Sequence, residues 1–451
     1  MKHILVLGAG RSSYSLIQYL LRLAPAEGWT ITVGDANVEA ARGKILTAGG
    51  QPHPLASVTP FDGTDELAGD NLMIGADLVI SLLPPHLHIH LAKACLKFGR
   101  PLITASYVSA EMRALDAEAH ARGVLLLNEC GLDPGLDHAS AMQAIHQLQA
   151  QGARITAFRS YTGGLIAPGS DDNPWHYKFT WNPRNVVLAG QGTAKYIVNG
   201  QYKYVPYHRL FAHTEPIEVA GYGQFEGYPN RDSLAYRETY GLQNIPTIIR
   251  GTLRRQGFCE AWDTFVQLGM TDDSYVMENL ASLSKREFTN SFLQYSRVHL
   301  VEEKIAQVMH QPPSSPLIDK LRWLGLLGHE RLGLDRATPA QVLQKILEEK
   351  WQLGPTDQDM IVMQHQFEYL TDEDRYLLTT SLVVLGGSPL DTAMAKTVGL
   401  PLGIAAKLVL SGQIGLSGVQ LPTRPEIYQP VLAELAGLGI QFVEQIQKLR
   451  V

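Results

Sequence analysis

The first 35 residues constrain the fold of this chain more than any other stretch. Lys2-His3-Ile4-Leu5-Val6-Leu7 is a short apolar run rich in branched residues. It breaks at Gly8-Ala9-Gly10-Arg11-Ser12-Ser13 and resumes, with helical spacing, at Tyr14-Ser15-Leu16-Ile17-Gln18-Tyr19-Leu20-Leu21. A second run, Trp29-Thr30-Ile31-Thr32-Val33, ends at Gly34-Asp35. Strand, glycine-rich turn, helix, strand and acid, in that order, open a dinucleotide-binding fold. A pyrophosphate needs bare backbone N–H groups at a helix N-terminus, where a Cβ blocks its approach. Gly8 permits the tight turn and Gly10 the close contact. Ser13 stands where a third glycine is usual, and its hydroxyl or that of Ser12 is expected to bond a phosphate oxygen. A carboxylate at the tip of the second strand accepts hydrogen bonds from a ribose diol and repels a 2′-phosphate, so Asp35 favours NAD over NADP. The alternative is a structural βα turn in a fold without a cofactor.

At 451 residues, about two or three domains are expected. A formal charge of −6 argues against a general nucleic-acid binder, and an anionic substrate would need a local cluster of Arg or Lys. Cys95, Cys130 and Cys259 are widely spaced and form no CxxC, which suggests neither a disulfide framework nor a zinc site. No signal sequence and no bilayer-spanning run stand out, so a cytoplasmic protein without a membrane partner is expected.

Further along, strand patterns at 76–83, 101–106 and 124–128 alternate with helical patterns at 38–48, 87–98 and 110–122. This alternation predicts a doubly wound parallel sheet whose ligands sit at the carboxyl ends of the strands. From Gly131 the character changes. A helix is expected to about residue 151, with Pro134 in its first turn, then a strand over 154–160. Residues 171–227, rich in aromatics and turn signals, suggest an antiparallel sheet. Residues 271–353 read as a helical insertion, with helices at 290–295, 301–309, 317–327 and 339–351. Strands at 360–367 and 376–385 and a small-residue helix at 390–410 follow. The predicted organisation is a dinucleotide domain over 1–131, an α+β domain over 132–388 and a C-terminal segment, 389–451, returning to the first domain.

Two stretches are candidates for chemistry. Asp133 follows a strand of the first domain and starts the next helix. It suits either the capping of that helix or the holding of a substrate ammonium, while His138 suits either proton transfer or a buried structural role. Asn173-Pro174-Trp175-His176-Tyr177-Lys178-Phe179-Thr180-Trp181 suits either a pocket floor or an aromatic core. Arg231, Arg250 and Arg254 lie outside any basic stripe and offer guanidinium groups for carboxylates. His86, His88 and His90 alternate at a helix start, where they do not face one another, so no metal is expected.

These blocks resemble a known family. Asn128-Glu129-Cys130-Gly131-Leu132-Asp133-Pro134-Gly135-Leu136-Asp137-His138 is similar to the start of the second domain in saccharopine dehydrogenases of the glutamate-forming type, also called saccharopine reductases. Tyr161-Thr162-Gly163-Gly164-Leu165, Arg250-Gly251-Thr252-Leu253-Arg254, Gln364-His365, Met394-Ala395-Lys396-Thr397-Val398-Gly399 and Gly418-Val419-Gln420-Leu421-Pro422 resemble the family in the same order. The resemblance implies a Rossmann domain built from both chain ends and a middle α+β domain for substrate and dimerisation, hence a homodimer. It implies oxidation of the secondary amine of saccharopine, in lysine metabolism, by a nicotinamide cofactor; the imine then hydrolyses to glutamate and 2-aminoadipate 6-semialdehyde. Carried over by motif, Ser106, Tyr107, Asp133, Arg231, Thr252, Leu253 and Arg254 contact the substrate, with Trp175 added from the aromatic stretch. Gly8, Gly10, Arg11, Ser12, Ser13, Asp35, Leu82, Thr104 and Leu132 contact the cofactor. Asp133, His138 and Lys178 are the candidates for moving a proton. NADP-using fungal members carry a basic or small polar sequence where this chain has Gly34-Asp35-Ala36, which again points to NAD. Rival readings are a related amine dehydrogenase acting on lysine or a carboxylated polyamine, and an NAD-binding sensor without turnover.

Overall fold

The computed structural model describes every residue except Ala48, Glu373 and Val451, together with all side chains but those and residues 66–68. The chain forms two compact units. Short segments apart, the first comprises residues 1–155 and 382–445, the second 156–369 and 374–381.

The first unit holds a parallel sheet. Its strands are β1 (Lys2–Leu7), β2 (Trp29–Asp35), β3 (Ala56–Pro60), β4 (Leu78–Ser81), β5 (Leu102–Thr104) and β6 (Leu125–Leu127). They take the order β3-β2-β1-β4-β5-β6, with Gly418–Gln420 as a seventh strand beside β6. This is the doubly wound Rossmann order, extended by one strand from the chain's far end. β1 runs between β2 and β4, so Ile4, Leu5, Val6 and Leu7 are fully buried, as expected where helices cover both sheet faces. The helix expected over 38–48 is Val38–Lys44, started by the Asn37 side chain accepting the Ala40 N–H; position 48 lies outside the described residues. The helix expected over 110–122 is broken into Ala110–Ala114 and Asp116–Arg122.

Helix Ala393–Leu410 packs on helix Tyr14–Glu27 of the same unit, and small residues let the two approach. A Cβ on Gly399 would lie 2.7 Å from the Leu16 nitrogen, and one on Gly403 would lie 2.6 Å from the Tyr19 ring. By length and mean hydropathy, 1.5, this helix is long and apolar enough to cross a membrane, a run missed in the sequence. Two thirds of it, 67%, is nonetheless buried inside the protein.

The second unit holds a mixed sheet. Along it run Glu215–Val219, Gly223–Pro229, Thr247–Arg255, Arg154–Ile166, Asp359–Leu370, Arg375–Leu385 and Val443–Leu449, with the hairpin Ala194–Val198 and Gln201–Val205 attached to Thr247–Arg255. Within 171–227 the strands pair antiparallel as expected, Glu215–Val219 with Gly223–Pro229 and Ala194–Val198 with Gln201–Val205, while at the sheet's centre Thr247–Arg255 runs parallel to Arg154–Ile166. The latter continues well past residue 160 because Gly163 accepts the close approach of the Leu253 carbonyl, 2.7 Å from where a Cβ would stand. The helix expected at 290–295 occurs earlier, as Lys285–Asn290, because Ser284 and Glu287 form a reciprocal capping box. Helices Phe258–Leu268, Pro316–Trp323 and Pro339–Trp351 enclose an aromatic core around Trp175, Trp262 and Trp351.

Overpacking a tight helix contact costs about 1–3 kcal/mol. Gly399→Ala is therefore expected to lower unfolding stability by about that amount in urea denaturation, while an alanine at Gly437, where a Cβ meets nothing within 4 Å, is expected to have little effect.

Candidate active site

At the end of β1 the backbone turns through Gly8 at φ 100°, and a Cβ there would lie 2.9 Å from the Leu82 carbonyl carbon. Glycine is required at that position by the protein itself. At Gly10 it is not: φ is −66°, and a Cβ would meet nothing within 4 Å. The space in front of Gly10 is open, as a phosphate cradle requires. Arg11 is exposed and Ser12 half-buried on the same turn. Ser13 is fully buried, and its hydroxyl donates inward to the Gly10 carbonyl at 2.9 Å, so the expected phosphate contact from Ser13 is corrected to a loop-closing one.

Two charges brace this turn from below. The Ala9 N–H donates to Asp35 Oδ2 at 2.5 Å and the Asn37 N–H to Oδ1 at 2.7 Å. The Lys44 ammonium donates to the Ala9 and Gly10 carbonyls and, at 2.9 Å, to Ser13 Oγ. Burial pushes the Lys44 pKa down to about 8, against the nearby Asp35 carboxylate, which favours its charge. Nothing in the sequence marked Lys44, whose partners lie more than 30 residues away.

The ends of β4, β5 and β6 form a second polar cluster in the first unit. His88, at the start of helix His88–Phe98, is buried between hydroxyls: Nδ1 lies 3.0 Å from Ser81 Oγ, and Nε2 lies 2.8 Å from Ser106 Oγ and 3.1 Å from Thr104 Oγ1. Among the described residues there is no group of three or more His, Cys, Asp or Glu that could hold a metal ion. Thr104 and Leu132 are buried, while Leu82, Ser106 and Tyr107 are half-buried. The Tyr107 hydroxyl donates to Asp133 Oδ1 at 3.1 Å, and the Val108 N–H donates to Glu129 Oε1 at 2.9 Å.

Asp133 is half-buried on a turn that Gly131 and Gly135 permit. The following helix, Leu136–Ala150, is capped at Gly135 without a side-chain bond, so the capping alternative for Asp133 and the placing of Pro134 in the first turn both fall away. His138 is fully buried, with Nε2 2.8 Å from Glu129 Oε2 and Nδ1 3.5 Å from Asp137 Oδ2. Its candidacy for moving a substrate proton is corrected: an imidazole held between two buried carboxylates positions the turn rather than meeting a ligand. Glu129, which the sequence did not single out, supplies one of them.

In the second unit Arg254 is 5% exposed. Its guanidinium lies 5.1 Å from the Tyr177 ring centre and 5.3 Å from that of Phe258. Nη1 donates to the Leu253 carbonyl at 2.9 Å, Nε has no partner, and among the described residues no carboxylate pairs with it. A buried cation without a counter-charge costs several kcal/mol, which an incoming anion can offset. Thr252 is half-buried and Arg231 exposed, with φ 52°. Leu253 is fully buried, which corrects its side chain to a core role. Trp175 is corrected likewise: it is 0% exposed, stacks on Phe265 and donates from Nε1 to the Lys320 carbonyl at 3.0 Å. Lys178 is ion-paired to Asp357 at 2.7 Å and Asp172 at 2.9 Å. Burial works against its charge, but the two carboxylates outweigh it and hold its pKa above the ordinary lysine value. These two carboxylates tie the Lys178 ammonium into an ion-pair cluster of the second unit.

Burial, with a smaller contribution from His86, pushes the His88 pKa down to about 4. Between pH 6.5 and 4 the unfolded chain therefore binds more protons at this position than the folded one, and stability falls as pH falls through that window. The loss approaches about 3 kcal/mol. Urea unfolding of wild type and His88→Gln across that range is expected to show the steeper acid slope in wild type; equal slopes contradict it.

The chain matches two family descriptions, "Saccharopine dehydrogenase NADP binding domain" over residues 4–127 and "Saccharopine dehydrogenase C-terminal domain" over residues 131–440. Saccharopine dehydrogenase (NADP(+), L-glutamate-forming) of Schizosaccharomyces pombe is 33% identical, over 99% of both chains. The mitochondrial alpha-aminoadipic semialdehyde synthase of Bos taurus is 35% identical over 98% of this chain, which spans about half of that relative, 48%. The apo histidine-tagged saccharopine dehydrogenase (L-Glu forming) from Saccharomyces cerevisiae superposes with a TM-score of 0.88 at 32% identity, covering 99% of this chain and 100% of that one. The preference for NAD read from Asp35 is overturned by the NADP-binding family match and by the NADP(+) in the names of three fungal relatives. The physical reason is that both Asp35 oxygens are engaged by backbone N–H groups and its charge is felt by Lys44, so it does not stand free to repel a 2′-phosphate. The cytoplasmic expectation is overturned too, since the cattle, mouse and rat relatives are mitochondrial. With both family descriptions together spanning nearly all of it, the chain belongs to the saccharopine dehydrogenase family.

Proposed function

We propose that this chain oxidises saccharopine to glutamate and 2-aminoadipate 6-semialdehyde, or runs the reverse reductive condensation, with a nicotinamide dinucleotide that includes NADP(H). A bound nicotinamide would supply the two-electron chemistry by taking a hydride from the carbon next to the secondary amine; the amine's proton leaves as the C=N bond forms, and water then hydrolyses the iminium to the aldehyde and glutamate's ammonium. The chain's task is to orient and desolvate. The turn at residues 8–13 suits the diphosphate, and Asp133, oriented by Tyr107, suits an α-ammonium. The observation that carries the substrate reading is Arg254, a buried guanidinium without a protein carboxylate, which suits one of saccharopine's three carboxylates. The same observation disfavours a polycationic substrate such as a polyamine. We also infer a homodimer. The strand Val443–Leu449 ends the second sheet with Val443 and Ile446 63% and 64% exposed, a surface that a second copy would cover.

Purified protein with saccharopine and NADP+ is expected to generate NADPH absorbance and glutamate; turnover of lysine or carboxynorspermidine instead would refute the reading. Arg254→Met is expected to lower kcat/KM for saccharopine at least about 30-fold, as loss of a buried charge contact does. It should leave the urea midpoint unchanged or higher, because it removes an unpaired buried charge. Light scattering is expected to return twice the chain mass of 49.7 kDa.

A further inference from the structure

His88 is one residue whose surroundings the proposed reaction does not use. It ties together the ends of two strands, β4 through Ser81 and β5 through Thr104 and Ser106. Three hydroxyls thus share two ring nitrogens. The imidazole is 4% exposed, and its depressed pKa leaves it neutral near pH 7. A neutral imidazole carries one donor and one acceptor.

Both tautomers satisfy the ring, but they send one proton in different directions. With the hydrogen on Nδ1, the ring donates to Ser81, and Nε2 accepts from Ser106 or Thr104. A Ser106 proton spent on the ring leaves only lone pairs facing outward. With the hydrogen on Nε2, the Ser81 hydroxyl donates to Nδ1, and Nε2 donates to the Ser106 oxygen. The Ser106 proton is then free to leave the cluster, and Ser106, unlike His88, is only half-buried. The backbone that carries this hydroxyl is itself tied down: the Ser106 N–H donates to Thr104 Oγ1 at 3.3 Å and the Ser106 carbonyl accepts from the Glu129 N–H at 3.1 Å. A carboxylate can only accept, so an anionic ligand at Ser106 excludes donation from Ser106 to the ring and is served by the second arrangement, in which the ring itself donates to the Ser106 oxygen.

We propose that His88 is a positioning residue that turns the Ser106 hydroxyl outward as a hydrogen-bond donor to a carboxylate of the amino-acid substrate. This rests on the saccharopine reading above. It makes the imidazole a specificity element: a substrate lacking that carboxylate gains nothing from it.

The test is a double-mutant cycle with saccharopine and NADP+ on the full chain, using His88→Phe, Ser106→Ala and the pair. If His88 acts through Ser106, each single variant raises KM for saccharopine about tenfold, and the double variant is no worse than Ser106→Ala alone. NADPH affinity stays within about twofold, and His88→Gln, which keeps a donor toward Ser106, recovers most of the KM. Should His88→Phe fail to fold, His88→Asn, which reaches Ser81 but not Ser106, takes its place in the cycle. The hydrogen position is read separately by nitrogen NMR of histidine-labelled wild type with saccharopine bound, where Nε2–H is expected. Additive KM effects, an equal loss of NADPH affinity, or an Nδ1–H ring would each overturn the role of His88 while leaving saccharopine turnover intact. Absence of wild-type turnover would sink the parent reading and this one with it.

Discussion

The approach of the Gly8 backbone to Leu82 is the constraint on which the first unit depends. No side chain fits there, and the positive φ would strain any other residue. Because the chain passes so close to β4, the turn that follows emerges at the carboxyl ends of the central strands. Its shape is then held by charges whose partners are backbone atoms. Asp35 takes the Ala9 N–H, and Lys44 takes the Ala9 and Gly10 carbonyls. Ala9 is thus gripped through both its N–H and its carbonyl, and the face carrying Gly10 stays open. A loop braced in this way loses little freedom when a diphosphate arrives, which is where pre-organisation contributes to affinity.

The buried ionisable side chains are of two kinds, those that meet partners and one that does not meet a carboxylate. In the first unit they are matched. Glu129, His138 and Asp137 satisfy one another and the Val108 and Gly135 N–H groups, and so fix the turn that bears Asp133. In the second unit Lys178 is matched as well, by Asp172 and Asp357. Arg254 is not matched by a carboxylate; two aromatic faces and the Leu253 carbonyl hold it. Breaking a matched cluster should damage the fold, whereas removing an unmatched charge should damage only what it waits for.

What was legible in the sequence follows the range of the interactions involved. The strand, turn, helix, strand and acid of residues 2–35 could be read because each depends on neighbours within a few positions. The Rossmann order followed from the alternation of elements. The role of Asp35 was misread because its partner, Ala9, is 26 residues away, and an acid already spent on a backbone N–H no longer tells NAD from NADP. The stretch around Trp175 reads either as a pocket floor or as a core because aromatic density marks both; only the packing of Trp175 on Phe265 and Trp351 decides between them. His88 and Lys44 stood in plain view but act on residues that chain order keeps apart. Cross-strand and cross-loop partners of this kind leave no local spacing to find.

The most direct measurement is calorimetric titration of this 451-residue chain with NADPH. A dinucleotide seated on the braced turn gives saturable binding of one NADPH per chain, and Gly10→Asp, which places a carboxylate in the open space before the turn, abolishes it without lowering the unfolding midpoint. Saturable binding that survives Gly10→Asp, or no saturable heat from the wild-type chain, would contradict the cofactor assignment from which the rest follows.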